Sequence, residues 1–119
     1  STVDRADHLI NRAKNSMKRK SYSKALLELQ EAIMSVVRNK YGIKDSESGN
    51  RQIKLALSYM NEPHSSVYKS LNNLRDGVAH GFTNERKISP KDIDEIGRLL
   101  NEGVKLYYAI KSGEIKIQP

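Results

Sequence analysis

Ser21-Tyr22-Ser23-Lys24-Ala25-Leu26-Leu27-Glu28-Leu29-Gln30-Glu31-Ala32-Ile33-Met34-Ser35-Val36-Val37-Arg38-Asn39-Lys40-Tyr41-Gly42 has the pattern of one amphipathic helix. Its apolar residues fall at Tyr22, Ala25, Leu26, Leu29, Ala32, Ile33, Val36 and Val37. That is the three-and-four spacing of a helical face, not the alternation of a half-buried strand. Ser21 stands at the N-cap position, and Gly42 where a left-handed C-terminal stop belongs. A stripe of this kind must be buried against other elements, and the sequence on both sides supplies more helices.

Upstream, Val3, Ala6, Leu9, Ile10, Ala13 and Met17 repeat the helical spacing. Lys18-Arg19-Lys20 closes that helix, where cations suit the macrodipole. Downstream, residues 43–50 form a polar loop, and Ile53, Ala56, Leu57 and Met60 mark a shorter helix over about 51–60. Asn61-Glu62-Pro63 breaks it, and a fourth helix follows over about 64–79, with His64 at its N-terminal cap and Val67, Leu71, Leu74 and Val78 on one face. After a loop over 81–89, Ser89-Pro90 followed by Asp92, Asp94 and Glu95 starts a fifth helix with the stripe Ile93, Ile96, Leu100, Val104 and Tyr107. Tyr107 and Tyr108 are expected in the core or at a dimer face, and Gly97 and Gly103 either allow close helix approach or are tolerated. Residues 1–112 therefore form a single all-α bundle of four to five helices, with 113–119 as an alternating, extended tail. The first helix pair is faintly similar to a tetratricopeptide hairpin, but no second copy follows at a period of ~34 residues, so two packed amphipathic helices suffice.

A chain of 119 residues can bury one core, and with no cysteine it has neither a disulfide framework nor a thiolate metal site. No apolar run approaches the ~18 residues of a membrane span, and the opening residues lack a signal-peptide pattern. A cytoplasmic protein without membrane contact is expected. The net charge of +7 is uneven: residues 1–44 hold ten Lys and Arg against four Asp and Glu, residues 45–119 eleven against ten. A basic first half serves solubility or attracts an anionic partner, with nucleic acid the first candidate. Arg12, Lys14, Lys18, Arg19, Lys20 and Lys24 are the residues placed to hold an RNA backbone. Asp92, Asp94 and Glu95 suit a helix first turn, and no metal-ligand spacing or glycine-rich phosphate loop occurs, so no metal or cofactor is expected.

The remaining signal is Leu74-Arg75-Asp76-Gly77-Val78-Ala79-His80-Gly81, which ends the fourth helix. Arg75 offers a permanently charged fork that matches phosphate oxygens. His80 is the side chain whose ordinary pKa lies nearest neutrality, so it can give or take a proton. Gly77, Ala79 and Gly81 leave room for a ligand or a second backbone. His8 lies on a charged helix face, and His64 is about 24 Å of helix from His80, too far to share a site with it in one straight helix.

Arginine, a polar residue, three residues and histidine, at the end of a helix in a basic helical domain, resemble the HEPN domain family. The phrase from Leu74 to Gly81 is most similar to the abortive-infection branch, and the likeness in arrangement extends over roughly residues 3–112. The resemblance implies a metal-independent endoribonuclease of toxin–antitoxin, phage-defence or CRISPR systems, acting as a homodimer with both motifs lining one cleft. It implies Arg75 and His80 as the catalytic pair and Asp76 as their polar support. It also implies an antitoxin or sensor domain as partner. In some relatives a tyrosine two residues after the histidine is modified by a nucleotidyltransferase, but here Phe82 holds that position.

In such chemistry the RNA 2′-hydroxyl attacks the adjacent phosphorus, while the protein moves protons and stabilises charge on the phosphoryl oxygens. Arg75 suits the charge and His80 the protons. Five residues of regular helix separate them by about 140° of rotation and about 7.5 Å of rise. Either the helix loosens at Gly77, or a two-fold axis assembles the site from two copies. Two other readings compete: a non-catalytic HEPN-like module that binds RNA, nucleotide or a partner protein, and a helical adaptor in which Arg75 pairs with Asp76 or with an acid of the fifth helix.

Overall fold

Five helices follow one another: α1 (Thr2–Lys18), α2 (Tyr22–Tyr41), α3 (Gly49–Ser58), α4 (His64–Ala79) and α5 (Pro90–Lys111). The structure, a computed structural model, describes residues 2–79 and 90–115. Among those residues there is no strand, and the fold is an all-α bundle of 44 × 26 × 25 Å. No helix of the described residues is long and apolar enough to cross a membrane.

Helix α2 is the element on which the others pack. It lies against α1 along most of its length and also contacts α5 and α4. Its buried set is accordingly wider than one stripe and includes the polar Gln30 and Ser35 beside Leu26, Leu29, Ile33 and Val37. Residues 19–21 fold α2 back on α1, with Lys20 in the left-handed region at φ 60°. Ser16, fully buried, ties the hairpin by donating to Glu28 at 2.6 Å, and Arg5 meets Glu31 at 2.8 Å.

The directions of the other helices follow from their side-chain contacts. Gln30 Nε2 donates to Asn72 Oδ1 at 2.5 Å and Tyr68 Oη to Met34 Sδ at 2.9 Å, so α4 runs antiparallel to α2. Tyr107 Oη and Lys111 Nζ donate to Asp7 Oδ1 at 2.7 and 2.5 Å, and Lys14 Nζ donates to Tyr108 Oη at 2.5 Å. Helix α5 therefore runs parallel to α2 and antiparallel to α1. One end of the bundle thus gathers the α1–α2 turn, the C-terminal turns of α4 and the N-terminal half of α5.

Several local expectations need correction. Ser21 occupies the N-cap position of α2, but its side chain makes no capping hydrogen bond. Gly42 does stop the helix, at φ 67° with its N–H on the Arg38 carbonyl. Helix α3 starts earlier than its apolar pattern indicates, because Ser48 caps it by accepting from the Arg51 N–H at 3.2 Å. His64 opens α4 as a helical residue. The side-chain contacts of that turn come from Glu62, whose carboxylate accepts from the hydroxyls of Ser65, at 2.5 Å, and Ser66. The buried face of α4 is centred on Tyr68, Leu71 and Asn72, with Val67 and Leu74 at its margins.

The two glycines of α5 have different roles. A Cβ on Gly103 would lie 2.7 Å from Leu29 Cδ2 and 2.9 Å from Leu71 Cδ1, both fully buried leucines. A Cβ on Gly97 would meet nothing within 4 Å. Gly103→Ala is therefore expected to lower stability by about 1–3 kcal/mol through overpacking. Gly97→Ala is expected to raise it by about 0.5–1 kcal/mol through helix propensity. Urea melts of the two variants beside the parent check the contrast.

Candidate functional site

Helix α4 continues through Gly77 to Ala79 without a break, so the backbone does not loosen at Gly77. Arg75 and Asp76 are exposed near its C-terminal end. Arg75 is seven residues beyond Tyr68, which returns it to nearly the same face about 10.5 Å further along. Burial pushes the Tyr68 phenol up to about 12, and the charges of Arg38 and Arg75 both oppose that rise. Among the described residues no ion pair joins Arg75 to Asp76, Asp94, Glu95 or Glu102. His80, Gly81 and Phe82 lie outside the described residues, as do Ser89 and the rest of the loop over 81–89.

The six basic residues singled out from the sequence do not form one patch. Lys14 is half-buried, and Arg12, Lys18, Arg19, Lys20 and Lys24 are exposed. Four residues of helix return Lys18 to within about 40° of Lys14, whereas Arg12 and Arg19 lie about 140–160° away. Lys14 and Lys18 therefore share the flank facing α5, and Arg12 and Arg19 occupy the opposite flank. What unites Lys18, Arg19, Lys20 and Lys24 is the α1–α2 turn, at the end of the bundle where α4 carries Arg75. Helix α1 lies beside α2 and α5 and α4 on their other side, so the cations of α1 and Arg75 share an end but not a face.

On the α1–α5 flank, Tyr107 is buried and Tyr108 is 41% exposed, so the tyrosine pair divides between core and surface. Tyr107 meets Tyr108 edge-on at 5.1 Å between centroids, and Lys14 Nζ lies 4.6 Å from the Tyr108 ring centre. These contacts hold an exposed aromatic ring with a cation against it. Beside it a groove of about 420 Å³ is lined by Lys14, Met17, Lys18, Tyr22, Gly97, Asn101 and Val104.

A cleft of about 560 Å³ lies at the opposite end, between Arg5 and Leu9 of α1, Glu31, Ser35, Arg38 and Asn39 of α2, and Ile43 and Asp45 of the loop. Its cations are matched by acids. Arg5 pairs with Glu31 at 2.8 Å and Arg38 with Asp45 at 3.1 Å. Arg38 Nε also donates to Gln52 at 2.9 Å, and buried Gln52 donates to the Glu47 carbonyl at 2.8 Å, which fastens the 43–48 loop to α2. Among the described residues no group of three His, Asp or Glu side chains is placed to share a metal ion.

The features hardest to anticipate are polar and internal. Asn72 donates to the Tyr68 carbonyl at 2.8 Å and accepts from Gln30, so a buried amide pair sets the register of α4 on α2. Gln30 Oε1 has no hydrogen-bond partner among the described residues. The available signal was Gln30 itself, a polar residue inside the apolar stripe of α2. No protein family model matches the chain, and neither curated proteins nor solved structures show significant similarity to it.

Two predictions follow from the polar contacts that hold the helices together. Asn72→Leu strands the buried Gln30 amide and is expected to cost about 1–3 kcal/mol, whereas the Gln30→Leu/Asn72→Leu double variant recovers most of that loss. Denaturant titrations of the three variants complete the cycle. Hydrogen bonds from Lys111 and Tyr107 hold the Asp7 carboxyl below its ordinary 3.8. A carboxyl held low stabilises the fold above pH 3.8, and that contribution is lost as pH falls through its lower folded value. Asp7→Asn should therefore lower the melting temperature at pH 7 and flatten its decline below about pH 4, as a pH series of thermal melts would record.

Proposed function

We propose that the chain is a HEPN-type, metal-independent endoribonuclease that acts as a homodimer in toxin–antitoxin or phage defence, under the control of an antitoxin or sensor domain. The observation that carries this reading is the exposed Arg75, followed by exposed Asp76, at the bundle end that also bears the basic α1–α2 turn. An exposed guanidinium can meet phosphate, and cations at the same end of the bundle, on another face, can hold an RNA backbone.

The unbroken helix favours the two-fold arrangement. Five residues of regular helix separate two side chains by about 140°, and α4 is regular to Ala79. A second copy then supplies what one helix does not bring to a single phosphate. Leu27, 46% exposed on α2, lies level with Arg75 by extension of the Gln30–Asn72 and Met34–Tyr68 pairings. It offers an apolar contact to that second copy.

In this mechanism the substrate 2′-oxygen bonds to phosphorus as the bond from phosphorus to the 5′-oxygen breaks. One His80 takes the 2′-hydroxyl proton, and the His80 of the second copy gives a proton to the leaving 5′-oxygen. Arg75 stabilises the charge that grows on the phosphoryl oxygens, and Asp76 supports the pair. The products are a 2′,3′-cyclic phosphate and a 5′-hydroxyl.

Incubation with a mixed RNA pool in EDTA, with end mapping, tests the proposal. The parent protein should yield cyclic-phosphate ends, His80→Ala none, and Arg75→Ala a rate lower by about 10²–10³. Absence of cleavage by a folded, dimeric protein would contradict the enzyme and favour a non-catalytic RNA- or nucleotide-binding module.

A further inference from the structure

We propose that the groove between the C-terminal half of α1 and the N-terminal half of α5 is a docking site for single-stranded RNA, holding one nucleotide unit. This rests on the RNA-binding part of the function proposed above, but not on cleavage. At about 420 Å³ the groove lies within the range of small-ligand sites. Met17, Val104 and the Tyr22 ring form an apolar floor on which a base can lie, and the Asn101 amide can bond to a base edge. Lys14 and Lys18 stand within one helical turn on one wall, and no acid lines the groove. The charge thus complements a phosphate on each side of the base.

Gly97 keeps the α5 wall low, since a Cβ there meets nothing within 4 Å. Close packing accounts for Gly103 but not for Gly97, whose missing side chain leaves the groove open.

The surroundings favour a strand over a free nucleotide. Exposed Lys20, in the α1–α2 turn, carries the basic charge on beyond Lys18. In the other direction exposed Tyr108, braced by Lys14 and Tyr107, borders a second depression of about 560 Å³, whose lysines are paired with acids, Lys105 with Glu102 and Lys111 with Asp7. A strand lying in the groove would meet the Tyr108 ring with its next base. The groove floor and the Tyr108 ring then offer two successive stacking surfaces beside Lys14 and Lys18, which suits a single strand.

Fluorescence anisotropy with a 2′-O-methyl 12-mer, which has no 2′-hydroxyl to attack phosphorus, reads binding apart from cleavage. Gly97→Leu fills the groove without removing charge. It should weaken binding at least about tenfold with no loss of melting temperature. Lys14→Gln/Lys18→Gln should weaken binding similarly and reduce the log–log salt slope by about 1.4. Binding by Gly97→Leu within twofold of the parent would overturn the groove. So would displacement of the 12-mer by AMP or by an oligoglutamate peptide at matched concentration, which would assign it to free nucleotides or to acidic proteins. If the parent binds the 12-mer through the groove but leaves ordinary RNA intact, the ribonuclease fails and the docking site stands. If it cleaves RNA while Gly97→Leu binds and cleaves normally, the docking site fails and the ribonuclease stands.

Discussion

Gly103 carries no side chain because the Leu29 and Leu71 methyls already occupy that space. Three helices meet at this point, and their relative heights are fixed there. With Leu29, Gly103 and Leu71 level, the start of α2, the first half of α5 and the last turns of α4 fall at one end of the bundle. The basic α1–α2 turn and Arg75 lie at the same end of the bundle for this reason, although on different faces and more than fifty residues apart in sequence. A one-turn slip of α4 would move Arg75 about 5.4 Å along the bundle, and the buried Gln30–Asn72 bond opposes that slip, because breaking it leaves the Gln30 Nε2 donor and the Asn72 Oδ1 acceptor unpaired.

The all-α architecture and the extents of α1, α2, α4 and α5 were legible in the sequence because each carries an apolar face at helical spacing. The start of α3 was not, since it depends on the Ser48 side chain capping a helix whose first turn is polar. The packing face of α4 was read about one residue off. Tyr68 and Asn72 are polar enough to look external, yet both are buried against partners on α2. The two glycines of α5 look alike in sequence, and only the leucines supplied by α2 and α4 distinguish them.

For the candidate site, only the positions of some residues in the fold were legible. Arg75 and Asp76 are exposed at the end of an unbroken helix, consistent with residues available to a ligand, while His80 lies outside the described residues. The basic cluster was legible as composition but not as geometry. Helical rotation divides Lys14 and Lys18 from Arg12 and Arg19, and the fold reunites Lys18, Arg19, Lys20 and Lys24 only at the turn. The Tyr108 platform was not legible, because its exposure follows from how α5 is rotated against α1. The cleft at the opposite end has a comparable volume, but its arginines are matched by acids. Anion binding therefore favours the end that carries Arg75 and the unmatched lysines.

An amide chemical-shift map of the protein with the unreactive 2′-O-methyl strand tests most directly whether that end of the bundle is the RNA-facing end. Shifts concentrated at residues 14–24, 74–79 and 97–108 are expected. Shifts concentrated instead around Arg5, Arg38 and Asp45, or spread evenly over every basic helix face, would contradict it.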